Sequence, residues 1–128
     1  MAEHAVAELR AHPGDAVYAQ NAAGKAWTAA RMAAQAVVFC TTKGMPKGTD
    51  ALRDALADVA RERDSKRLSD FRADVADAYG DLHLRCSSDG DCSTRSLRRI
   101  QSVKDSLIPA AQVICKSPPP APRGLRGK

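Results

Sequence analysis

The sequence predicts an all-α protein: an up-and-down bundle of about five helices followed by an extended, proline-rich basic tail. Three observations carry this. Alanine is abundant, aromatic residues make up only 4% of the chain, and β-branched residues are scattered, a composition that favours helix over strand. Apolar residues recur at steps of three and four in successive stretches, the period of a helix with one buried face. Clusters of Pro, Gly and Asp punctuate those stretches. A chain of 128 residues can bury roughly two thirds of its unfolded surface, enough for one core. Residues 1–115 are therefore expected to form one helical domain and 116–128 a flexible Pro/Arg-rich tail.

The first helix is expected over residues 2–11, ended by "HPGD" at 12–15, where Pro13 and Gly14 break the pattern and Asp15 can cap the next helix. The second runs from about Ala16 to Phe39. Asn21, Lys25, Thr28, Arg31 and Gln35 make its wet stripe, and alanines with Trp27 and Val37 cover the rest. Small side chains at Ala23, Gly24, Ala26 and Ala30, beside Trp27, suit close helix packing, within a chain or between copies of it. "TTKGMPKGTD" at 41–50 is a loop. Thr49 or Asp50 can cap a third helix that buries Leu52, Leu56 and Val59. After the charged turn "RERDSKR", the fourth helix buries Leu68, Phe71, Val75, Ala78, Leu82 and Cys86 and turns Asp70, Asp74, Asp77 and Asp81 to water, where Arg67 or Arg85 could pair with them. Following "SSDGD", Ser93 or Thr94 can cap a fifth helix with Leu97, Ile100, Val103, Leu107, Ala111 and Ile114 on its buried side. Pro109 should kink or split that helix near 107–108. "KSPPPAPRGLRGK" then leaves the fold in an extended polyproline conformation.

The Gly24–Lys25 pair is not a phosphate loop. A Walker loop needs G-x-x-x-x-G-K-[ST] after a strand, but Ala19 and Ala26 stand at the first and last positions and the period around them is helical. Gly24 costs a helix about 1 kcal/mol relative to alanine. Close approach of a neighbouring backbone is its expected use, with Lys25 facing water.

"NAAGKAWTAARMAAQA" resembles the second helix of the PaREP family, archaeal helical proteins similar to HEPN domains. In that family a later helix ends in a Leu-His pair before a short loop and a final helix. Leu82 and His83 in "AYGDLHLRCSSDGD" stand in the matching place, and "TRSLRRIQSVKDSLI" is the final helix. The resemblance spans residues 14–114. It implies a HEPN-like bundle that works by dimerising and by holding a protein or a nucleotide or RNA partner, with no reaction attached. Catalytic HEPN ribonucleases are similar to one another in an Arg-x(4–6)-His motif, whose His does acid–base chemistry and whose Arg steadies phosphate. Here His4 has no arginine before it, His12 follows Arg10 by two positions, and His83 follows Arg72 by eleven, about 16 Å along a helix. No catalytic residue is assigned. His83 is expected to be half-buried one turn beyond Tyr79.

Charge divides unevenly. Residues 1–92 hold 12 Lys/Arg against 14 Asp/Glu, whereas residues 93–128 hold 8 against Asp105 alone. The second reading is therefore a structural nucleic-acid-binding protein, of a nucleoid or a viral coat, whose basic C-terminal region meets phosphates. Arg95, Arg98, Arg99, Lys104, Lys116, Arg123, Arg126 and Lys128 are its candidate contacts. Few aromatics are present to stack bases.

Cys86 and Cys92 lie six apart, outside the usual zinc spacing, and no histidine stands at ligand distance; neither a metal nor a cofactor is expected. Strict up-and-down alternation would gather Cys40, Cys86 and Cys92 at one pole and leave Cys115 at the other. Cys86–Cys92 is then the expected disulfide, with Cys40 to one of them second. The N-terminus lacks the basic and apolar regions of a signal peptide, and Lys25, Arg31 and Gln35 interrupt the best apolar run before the ~18 residues a membrane span requires. A cytoplasmic protein is expected, or one inside a virion on the coat reading.

Overall fold

In a computed structural model the described residues are 16–119; the expected first helix at 2–11 lies outside them, as does the tail from 120 onward. The alanine-rich stretch is α1, Ala16–Thr42. It runs past Phe39 because Thr41 and Thr42 return hydroxyl bonds to the carbonyls of Val37 and Val38. Next come α2, Thr49–Glu62, and α3, Lys66–Ala78, opened by Ser65, whose hydroxyl accepts from the Leu68 N–H. α3 continues without a break as a π-helical run, π1, Tyr79–Ser88. The last rod is α4, Thr94–Ser102, then π2, Val103–Leu107, then α5, Ile108–Lys116. Among the described residues there is no strand, and no helix is long and apolar enough to cross a membrane.

The core gathers on the alanine face of α1. Ala22, Ala23, Ala26, Ala30, Ala34 and Val37 are wholly buried, with Leu68, Ala78, Leu82, Ile100, Val103 and Ile114 facing them from the other rods. These small residues pack within the chain, so they no longer argue for contact between subunits. π1 is the most extensive neighbour of α1. At Gly24 an added Cβ would come within 3.2 Å of the Ser87 hydroxyl; a side chain, not a backbone, makes the close approach. The wet stripe is narrower than its sequence implies. Asn21 is exposed, but Lys25, Thr28, Arg31 and Gln35 are half-buried, while Met32, Ala36 and Phe39 meet water.

Pro109 divides the last rod where its position predicts, at 107–108: the π run ends at Leu107 and a new α-helix opens at Ile108 with the proline in its first turn. Ile108 donates to Val103 O, five residues back, and this wider turn accommodates the proline that a tight i−4 ladder would reject. One further expectation shifts locally. In α4 the buried hydroxyl of Ser96 takes a place expected for Leu97, which is only half-buried; Ser96 Oγ accepts from the Ser93 N–H at 3.0 Å, so its burial leaves no polar group unmet.

Strict alternation fails at α2. Arg63, at the end of α2, donates from Nη2 to Thr41 O at 2.9 Å, beside the end of α1. Arg53, ten residues earlier, lies over the Tyr79 ring, which meets Trp27 in the middle of α1. α2 therefore runs in the same sense as α1. The connection 43–48 carries the chain back along α1 instead of only turning it. Six extended residues can cover about 20 Å, and Lys43 (φ 64°) and Gly48 (φ 85°) supply left-handed turns at either end. α3–π1 then runs antiparallel to α1 and finishes where α1 begins: Cys86 Sγ is 3.4 Å from Ala19 O. α4–π2–α5 returns parallel to α1, and Cys115 Sγ lies 3.3 Å from Ala36 O.

The cysteines obey this path. Cys86–Cys92 is bridged, with Cα atoms 4.4 Å apart. Cys40 is not near it. Cys40 is bridged to Cys115 at the opposite pole, Cα–Cα 5.5 Å, because the unreversed α2 puts the end of the last rod, not its start, beside the end of α1.

The aspartates of α3 and π1 are not a uniformly solvated face. Arg99 of α4 reaches across to Asp81 at 3.1 Å and Asp77 at 3.6 Å, with the side chains of Arg99 and Asp81 only 23% and 14% exposed. Asp70 pairs with Lys66 in water. Burial pushes the Asp74 carboxyl up, and Arg99 partly pulls it back. Arg99→Ala should lower unfolding free energy by about 1–3 kcal/mol, since it strands a largely buried carboxylate. Adding Asp81→Asn should recover part of the loss in urea denaturation; an additive loss would show that the two groups are not coupled.

Candidate anion-binding groove

The described basic residues of the last rod do not share one surface. Arg95 and Arg98 are exposed near the start of α4, at the Cys86–Cys92 pole, whereas Lys116 is exposed at the other end of the rod, about 30 Å away. Arg99 is spent on Asp77 and Asp81. Lys104 is half-buried in π2. Arg123, Arg126 and Lys128 lie outside the described residues.

Arginines distant in sequence converge instead between α2 and α3. A pocket of about 140 Å³ is lined by Arg53 and Asp54 from α2 and by Arg72 and Val75 from α3. It shares Ala57 and Arg72 with a second hollow of about 330 Å³ that extends to Ala60, Arg61 and Ser69. Together they form one groove along α2 with three arginines and one carboxylate, Asp54, on its walls. The local sequence explains the placement. Leu52, Leu56 and Val59 turn inward, which leaves Arg53 on the outer side of α2 and the small Ala57 and Ala60 as the groove floor. Phe71 and Val75 do the same for α3, leaving Arg72 exposed on the opposite wall. Arg61 is partly occupied by Asp58, one helical turn before it, at 2.8 Å.

An aromatic cluster adjoins the groove through Arg53. The Arg53 guanidinium carbon sits 4.2 Å over the Tyr79 ring, a cation–π contact. Tyr79 meets Trp27 edge-on at 5.3 Å, and His83 tilts against both, 5.4 Å from Tyr79 and 5.7 Å from Trp27. His83 is half-buried in this cluster. Tyr79 and His83, four apart in π1, fall on one side of the rod. One turn beyond Trp27, Arg31 has a buried Nε with no acceptor among the described residues.

Sequence reasoning did not single out Arg53, Arg61 or Arg72. The available signal was an arginine immediately beside a buried position on each of two helices predicted to be neighbours. No three His, Cys, Asp or Glu side chains among the described residues converge as a metal site. Comparison of the chain with protein-family models, with curated proteins and with solved structures found no match.

Proposed function

We propose that the protein is a non-catalytic helical binding module that holds a phosphate-bearing partner, a nucleotide or RNA, in the α2–α3 groove. The convergence of Arg53, Arg61 and Arg72 on one groove supports this reading. Guanidinium groups match phosphate geometry with paired donors, and the groove's net positive lining concentrates anions. The proposal keeps the HEPN-like reading of a partner-binding bundle. It moves the contact surface away from the basic α4 residues on which the coat-protein reading depends. The pairing of all four cysteines favours an oxidising setting over a reducing cytosol.

Titration of a fluorescent single-stranded RNA at low salt tests the proposal. The Arg53→Ala/Arg72→Ala variant should bind at least about tenfold more weakly, from the loss of two charged hydrogen-bond donors. Arg95→Ala/Arg98→Ala, altered at the far pole, should bind nearly as the parent does. The reverse order of effects would favour the coat reading and reject the groove.

A further inference from the structure

The smaller hollow of the groove holds charges that do not pair with one another. Arg53, Asp54 and Arg72 line it, and all three are exposed. Among the described residues Asp54 has no ion pair or hydrogen bond to either arginine. Asp58, one turn further along α2, behaves otherwise and holds Arg61 at 2.8 Å. A free carboxylate beside two guanidinium groups repels the phosphate that they attract, so phosphate alone does not account for this hollow. Buried Leu56 and Val75 give it an apolar lining, and its volume is about 140 Å³. A cavity of about 150 Å³ takes one six-membered carbon ring. The larger hollow is different. Arg61, Arg72 and the Ser69 hydroxyl line it, with no carboxylate. Arg72 belongs to both hollows.

We infer that Asp54 reads a ribose hydroxyl: the larger hollow takes the phosphate, on Arg61, Arg72 and Ser69, and the smaller hollow takes the sugar ring beside it. This rests on the groove reading above. It narrows the ligand to one whose phosphate has a free hydroxyl on the neighbouring ring carbon, as the 2′-hydroxyl neighbours the 3′-phosphate in RNA. An ionised carboxylate only accepts hydrogen bonds. A sugar hydroxyl donates one to it; a phosphodiester oxygen and the bare C2′ of a deoxyribose do not. The 2′-hydroxyl is the group by which a site tells RNA from DNA, and a hydrogen bond with one charged partner is among the stronger kinds. Asp54 thus turns from a defect in a phosphate site into its selector. All of these contacts are to sugar and phosphate, so no preference among bases is expected.

The test titrates the full chain at low salt with one labelled sequence made as RNA, as DNA and as 2′-O-methyl RNA, which has no hydroxyl proton to donate. RNA should bind several-fold more tightly than either of the others. Asp54→Ala should abolish that preference, because DNA gains from the lost repulsion while RNA loses its hydrogen bond. Asp58→Ala is the control: Asp58 lines neither hollow, and its removal should strengthen RNA and DNA by the same factor. Uridine 3′-monophosphate should displace the bound RNA at a lower concentration than deoxyuridine 3′-monophosphate. Thermal melting checks that the variants fold, and the comparison of strands on the parent protein needs no variant at all. Equal affinity of the parent for RNA and DNA would overturn the inference. So would Asp54→Ala strengthening both strands alike, the result expected of a carboxylate that only repels phosphate. If Arg53→Ala/Arg72→Ala still weakens both strands in either case, the groove reading stands without the sugar assignment; if that variant binds RNA as the parent does, both fall.

Discussion

Replacing Cys40 and Cys115 together by alanine is expected to lower unfolding free energy by about 4 kcal/mol. The bridge joins residues 75 apart, and closing so long a loop removes a large share of the unfolded chain's freedom. The short Cys86–Cys92 bridge, with a separation of 6, should contribute about 2 kcal/mol by the same reasoning. The long bridge also fastens the last rod to α1, next to the pole where Arg63 gathers the end of α2 and Pro119. Guanidinium denaturation of the parent and the double variant measures the effect. The midpoint should fall, and the denaturant dependence should steepen because the uncrosslinked chain expands further on unfolding. A shift under about 1 kcal/mol would mean that this pole is held by packing alone.

Trp27→Ala is expected to cost about 3–5 kcal/mol, the range for deleting a large buried aromatic. Trp27 is 5% exposed and is the one large side chain in the otherwise small middle of α1. Its neighbours there are alanines, which cannot move in to fill the space. Its removal also takes the edge-on support from Tyr79 at 5.3 Å and so loosens the seat of Arg53. Stability and binding should fall together. Trp27→Phe should recover a large part of both, because an aromatic edge remains for Tyr79. Thermal unfolding and the RNA titration on the two variants separate the outcomes; full stability in Trp27→Ala would place the side chain outside the core.

The helical periods of α1 to α4 were legible because buried positions step by three and four whatever the rods do next. Leu68, Phe71, Val75, Leu82 and Cys86 are inside as the spacing requires. The direction of α2 was not legible. Nothing in "TTKGMPKGTD" distinguishes a turn from a return path, and Arg63, which pins the result, looks like one more charge in a polar linker. Misplacing α2 misplaced Cys115 as well, since helix polarity propagates down the chain. The π runs left little mark: Gly80 and Pro109 are visible, but a change in turn width depends on what packs against the rod. The groove was hidden for a related reason. Arg53 and Arg72 are ordinary surface residues on separate helices, and only the packing of α2 on α3 makes them a pair. Charge counting favoured the C-terminal third, where the fold sets Lys116 at the far end of the rod from Arg95 and Arg98 and pairs Arg99 with Asp77 and Asp81.

Proteolysis without reductant, with mass spectrometry of the linked peptides, tests the path of the chain most directly. Cys40 joined to Cys115 and Cys86 joined to Cys92 are the expected products. A peptide joining Cys40 to Cys86 or Cys92 would contradict the shared direction of α1 and α2.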